Sequence, residues 1–141
     1  DKETPMNPVR AVNVILGLLM VAFAGVQYND PDMPQWVLLY IVPALWMYAV
    51  TFRLQSVLRS ADLMRLMWAS VAFYIGTVVY YWPAVPNFWL KEGWMVEETA
   101  REGMGLMIAL VVMLVAAAST QLPSAERRAK TRNPTGQARQ T

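Results

Sequence analysis

The side chains of this sequence that could do chemistry together fall into two short stretches. The first is Tyr28-Asn29-Asp30-Pro31-Asp32, and the second is Glu97-Glu98-Thr99-Ala100-Arg101-Glu102. Paired carboxylates can serve as general acid and base. Several oxygens held together suit a hard cation such as Ca²⁺, which takes about six to eight of them. Ionisable groups at membrane depth can also carry protons or solutes. If the second stretch is helical, Glu98 and Glu102 stand at i and i+4 and share a face with Gly105 and Ala109, with Arg101 as their near neighbour.

Three readings of this cluster stay open on sequence alone. In the first, Asn29, Asp30, Asp32, Glu98, Arg101 and Glu102 form a structural clasp, with Arg101 paired to Asp30 or Asp32 and the other acids capping helices. In the second, Asn29, Asp30, Asp32, Glu98 and Glu102 hold a hard cation, against which the charge of Arg101 counts. The third is a proton or solute path, weakened by the position of these groups at the edge of the apolar blocks. No nucleophile or cofactor motif accompanies the acids, so no enzyme activity is expected.

The chain contains no Cys and no His. Zinc centres of the usual kind, iron–sulfur clusters, His- or Cys-ligated haem, thiol nucleophiles and Ser-His-Asp triads each lack a necessary residue. No cofactor is predicted beyond a bound lipid or lipid-like molecule. Nucleic-acid binding is not expected, since the basic residues near the C-terminus lack a folded reader.

The elements that must position the two stretches are apolar. Of the 141 residues 56% are hydrophobic, well above a soluble domain of that size, and they fall into blocks at about 9–26, 36–52, 63–82 and 97–119. Each block approaches the roughly 20 residues that a helix needs to cross a bilayer core of about 30 Å. The expected fold is therefore all-α, a polytopic integral membrane four-helix bundle over 1–119, followed by a basic, disorder-prone tail over 120–141. In the first block Asn13, Gly17, Val21 and Gly25 recur every four residues, a small-residue stripe that should face the bundle interior. Pro43 lies within the second block and cannot donate to the carbonyl of Leu39, so that side of the helix should meet protein rather than lipid. Asp30 or Asp32 is placed to cap the second helix, and Ser60 the third.

Charge gives the expected orientation. Ten of the twelve Lys and Arg residues lie in the N-terminus, the link between blocks two and three, and the tail. The two loops on the other side hold only Lys91 and Arg101, against Asp30, Asp32, Glu92, Glu97, Glu98 and Glu102. The positive-inside rule then puts both termini in the cytoplasm of what is read as a bacterial inner membrane. Both polar stretches fall on the opposite, acidic side.

The pattern Val26-Gln27-Tyr28-Asn29-Asp30-Pro31-Asp32, followed by Trp36-Val37 and by Tyr40-x-x-Pro43-Ala44-Leu45, resembles the first signature of the transmembrane protein 220 family. Glu97-Glu98-x-x-Arg101-Glu102-x-x-Gly105-Leu106 resembles its second, and the likeness covers about 11–119. It implies a four-helix integral membrane fold in an uncharacterised family and assigns no site residue. The function expected is that of a non-catalytic accessory or structural subunit of a larger membrane complex, with photosynthetic and respiratory assemblies as candidates. Its partners would be membrane lipids and other membrane protein subunits. The alternative is a small transporter or cation-responsive membrane protein using the acidic cluster.

Overall fold

All four apolar blocks are helical, and local chemistry sets where each helix begins and ends. In the computed structural model, which describes residues 7–132 and the side chains of residues 7–123, α1 runs Pro8–Val26. Asn7 caps it by accepting the Val9 N–H at 3.1 Å, and Pro8 occupies a first-turn position where its missing N–H costs nothing. A 3-10 turn, Gln27–Asn29, leads to α2, Met33–Phe52. The link to the next span contains a short helix α3, Leu54–Arg59, and α4 follows over Ala61–Tyr80. Ser60 caps α4 as expected, accepting the Leu63 N–H at 3.2 Å. The aromatic loop after α4 carries α5, Lys91–Val96, and α6 spans Glu98–Arg132.

The helix α6 continues through residues placed in a disorder-prone tail by composition. Ala125, Glu126, Arg127, Arg128, Ala129 and Lys130 are strong helix formers, and they extend a helix already nucleated in the bundle. Residues 133–141, with Arg139 of the basic tail, lie outside the described residues.

Among the described residues four helices are long and apolar enough to cross a membrane: Pro8–Asn29, Met33–Phe52, Ala61–Tyr80 and Glu98–Pro123. The last is the hub, with 56% of the residues in its apolar stretch buried against 17% for the first, and it packs against α1, α2 and α4. Its small residues Gly105, Ala109, Ala116 and Ala117 are buried, which lets the neighbouring backbones come close. Four methionines, Met20, Met47, Met67 and Met113, fill the core beside Leu106 and Tyr74, a use their flexible thioethers suit.

The α1 stripe does not hold together as expected. Asn13 is buried, and a Cβ at Gly17 would sit 3.3 Å from Cβ of Met47, but Val21 and Gly25 face outward. The reason is angular. Steps of four advance about 40° beyond a full turn at 3.6 residues per turn, so such a stripe winds off the packing face within three steps. Steps of seven drift only about 20°, and accordingly Asn13 and Met20 are both buried and Gln27 is half-buried.

The mid-span proline behaves as the chemistry requires. Pro43 is buried, and the Leu39 carbonyl it leaves without a helical donor accepts the hydroxyl of Tyr74 from α4 at 2.6 Å. A second bond joins the same two helices, Trp46 Nε1 donating to Ser70 Oγ at 3.1 Å. Between α1 and α6, Asn13 Nδ2 donates to Ser119 Oγ at 3.1 Å, while Ser119 donates to the Val115 carbonyl.

Candidate functional site

The two polar stretches meet at one end of the bundle. They surround a cavity of about 270 Å³ lined by Asp30 and Asp32 at the start of α2, by Glu98, Arg101 and Glu102 on the first turns of α6, and by Gln27, Trp36 and Tyr40. Of the six residues picked out from sequence, five line this cavity; Asn29, in the 3-10 turn, does not.

The chain folds this way because three side chains one helical turn apart share a face. Asp32, Trp36 and Tyr40 follow each other at i, i+4 and i+8, so the acid sits at the mouth and the two rings form the floor. Glu98 and Glu102 make the opposing wall on α6, and below them Gly105 leaves room for the Tyr40 ring. A Cβ at Gly105 would collide with the Tyr40 hydroxyl. Trp36 and Tyr40 are each only 4% exposed, with rings stacked 6.4 Å apart. Sequence reasoning missed both rings as site residues, although the four-residue register with Asp32 was there to be read.

The charges are not neutralised within the protein as the clasp reading expected. Among the described residues the one ion pair is Arg65 with Asp62, at the other end of the bundle. Arg101 pairs with neither Asp30 nor Asp32; its Nη1 donates to the Met95 carbonyl at 3.0 Å. The backbone is extended at Glu97, between α5 and α6, and the Met95 carbonyl, in the last turn of α5 where helical donors run out, lies beside that guanidinium. Capping does not occupy the aspartates either: Asp32 holds the N-cap position of α2 but its side chain makes no capping bond. Asp30, Asp32 and Glu98 each lie within electrostatic range of Glu102, as does Arg101, but none of the four carboxylates has a partner at ion-pair distance among the described residues. No three acidic side chains among those residues converge closely enough to hold a metal ion.

What fastens this end is largely aromatic. Phe23 of α1 meets Tyr40 edge-on at 5.5 Å, Trp36 meets Tyr81 edge-on at 5.4 Å, and Gln35 Nε2 donates to the Tyr81 hydroxyl at 2.7 Å. Together these contacts join α1, α2 and the end of α4. At the opposite end, the Arg10 guanidinium lies 5.0 Å from the centre of the Phe52 ring, a cation–π contact closing α1 on α2.

The fold and the span lengths define a polytopic integral membrane protein built from four apolar helices, with an acidic, aromatic-floored cavity at one end. The family model described as Transmembrane family 220, helix, matches residues 19–118, which include both polar stretches, and the chain belongs to that family. No solved structure matches the chain.

Proposed function

We propose that this chain is a non-catalytic accessory or structural subunit of a larger membrane assembly. It would lie in a bacterial inner membrane with both termini in the cytoplasm, as the distribution of Lys and Arg favours. The observation that carries the reading is how the spans use their polar groups. Trp46, Ser70, Tyr74, Asn13 and Ser119 are engaged in helix-to-helix or local hydrogen bonds. Past Tyr40 the core is closed by buried methionines and Leu106, so the bundle offers the membrane an apolar exterior and a packed centre, with no polar route among the described residues that would favour the transporter alternative.

The outward faces of α1 and α4, with Ile15, Leu18, Phe73 and Val79 largely exposed, supply the surface for neighbouring subunits and lipid. A groove of about 620 Å³ between α2 and α4, lined by Leu38, Val42, Leu66 and Phe73, suits an acyl chain or another lipid-like molecule. No other cofactor is proposed, and no catalytic role for the acids. Extraction from the native membrane in mild detergent tests the subunit reading. Migration with other membrane proteins is expected, and a chain that always runs as a free 15.9 kDa monomer in its detergent micelle would refute it.

A further inference from the structure

We propose that the acidic cavity binds an organic ammonium group. Four observations converge on a cation of this kind rather than a metal ion. The sign of the site comes from Asp30, Asp32, Glu98 and Glu102, while the one cation on the lining, Arg101, donates to a backbone carbonyl instead of to any of them. The carboxylates are spread around a cavity of about 270 Å³ and no three converge on a point. A small hard ion needs its oxygens at about 2.0–2.6 Å, but a bulky cation is satisfied by charge distributed around it. The lining includes two aromatic rings, Trp36 and Tyr40, and aromatic rings attract ammonium cations, tryptophan most strongly.

The fourth observation concerns Tyr40 alone. Its side chain is more than nine-tenths buried and lines the cavity, yet its hydroxyl makes no hydrogen bond with any described residue and is not among the sealed, unpartnered atoms of the core. That hydroxyl sits against α6 at Gly105, one turn below Glu102 on the cavity wall, without a partner among the described residues, and a buried polar group is costly unless something satisfies it. An N–H of a primary ammonium would donate to it; the methyl groups of a quaternary ammonium would lie against the rings beside it.

One chemistry, an alkylammonium group, has two sources here. It could arrive as a free amine from the aqueous phase or as the headgroup of an aminophospholipid, since exposed Tyr28, Trp82, Trp89 and Trp94 mark headgroup depth at this end. The inference does not depend on what the bundle assembles with.

The experiment uses the full chain. In an uncharged detergent, thermal unfolding is followed with rising tetramethylammonium, choline or ethanolammonium chloride, each against sodium chloride of equal ionic strength. In parallel, unfolding is followed in nanodiscs of phosphatidylglycerol with and without phosphatidylethanolamine. A ligand that binds only the folded state raises Tm progressively, with the logarithm of its concentration above Kd. Asp32→Asn and Glu102→Gln, which keep side-chain size, are each expected to weaken that response about threefold or more, and their own Tm in sodium chloride shows that they fold. A response to soluble amines that these variants lose supports the proposal with a free amine as ligand. A response to phosphatidylethanolamine alone, lost in the same variants, supports it with a lipid headgroup as ligand. No response above sodium chloride in either arm overturns it, as does a response undiminished in both variants or one given by Ca²⁺ but by no ammonium.

Discussion

Replacing Tyr74 by Phe removes one oxygen and little else, which makes it a clean probe of how the mid-span proline is accommodated. Tyr74 is 1% exposed, and its hydroxyl donates at 2.6 Å to the Leu39 carbonyl, the group that Pro43 leaves without a helical N–H. The phenyl ring stays in place, so no cavity forms. Interhelical hydrogen bonds in membranes contribute about 0.6 kcal/mol on average and up to about 1.7. Stranding a buried carbonyl costs about 1–3 kcal/mol. The carbonyl of Leu39 has no second donor within its own helix, so Tyr74→Phe should cost about 1–2 kcal/mol, toward the upper end of the membrane range. Pro43→Ala supplies the missing N–H, and in that background the same substitution should cost less than about 0.5 kcal/mol. The coupling between the two sites is then about 1 kcal/mol. All four proteins would be unfolded by titrating a denaturing detergent into mixed micelles, with far-ultraviolet circular dichroism as the readout. An equal cost of Tyr74→Phe with Pro43 in place and in the Pro43→Ala background would refute the reasoning, because the hydroxyl would then be serving something other than the freed carbonyl.

Four further outcomes follow from contacts at three residues. Gly105→Ala should destabilise the bundle by about 1–3 kcal/mol through overpacking against the Tyr40 hydroxyl, and adding Tyr40→Phe should recover part of that loss in the same titration. Asn13→Leu should cost less than about 1 kcal/mol, because Asn13 Oδ1 has no partner to lose and Ser119 keeps its bond to Val115. Asn13→Asp should cost at least about 2.5 kcal/mol, since it puts a charge inside a span. Arg101→Ala should change stability by no more than about 0.5 kcal/mol, because Arg101 is exposed and, among the described residues, its guanidinium is bonded only to the Met95 carbonyl. A loss of about 3 kcal/mol or more in thermal or detergent unfolding would restore the ionic clasp.

The spans were legible because membranes impose one strong rule on sequence: backbone polar groups must be satisfied within the segment, so apolar length announces a helix. The same rule made Pro43 legible as a demand, a carbonyl needing a donor, though not which residue would meet it. Tyr74 is 35 positions away in the chain, and nothing in local spacing says that α4 rather than α1 or α6 brings a hydroxyl to that depth. The meeting of the two acidic stretches was also legible, since an even number of crossings returns the chain to the same side.

What the sequence did not disclose is how the charges would be used. Opposite signs close together along a chain suggest a salt bridge, but a guanidinium takes whichever acceptor its own backbone brings nearest. At Arg101 the extended residue Glu97 brings up the end of α5, and a carbonyl there is the acceptor. Diverting that one cation leaves four carboxylates facing two buried rings. The apolar contacts of Phe23, Trp36, Tyr40 and Tyr81 hold this end together, so the acids are not needed as its fastening and stand free for a ligand.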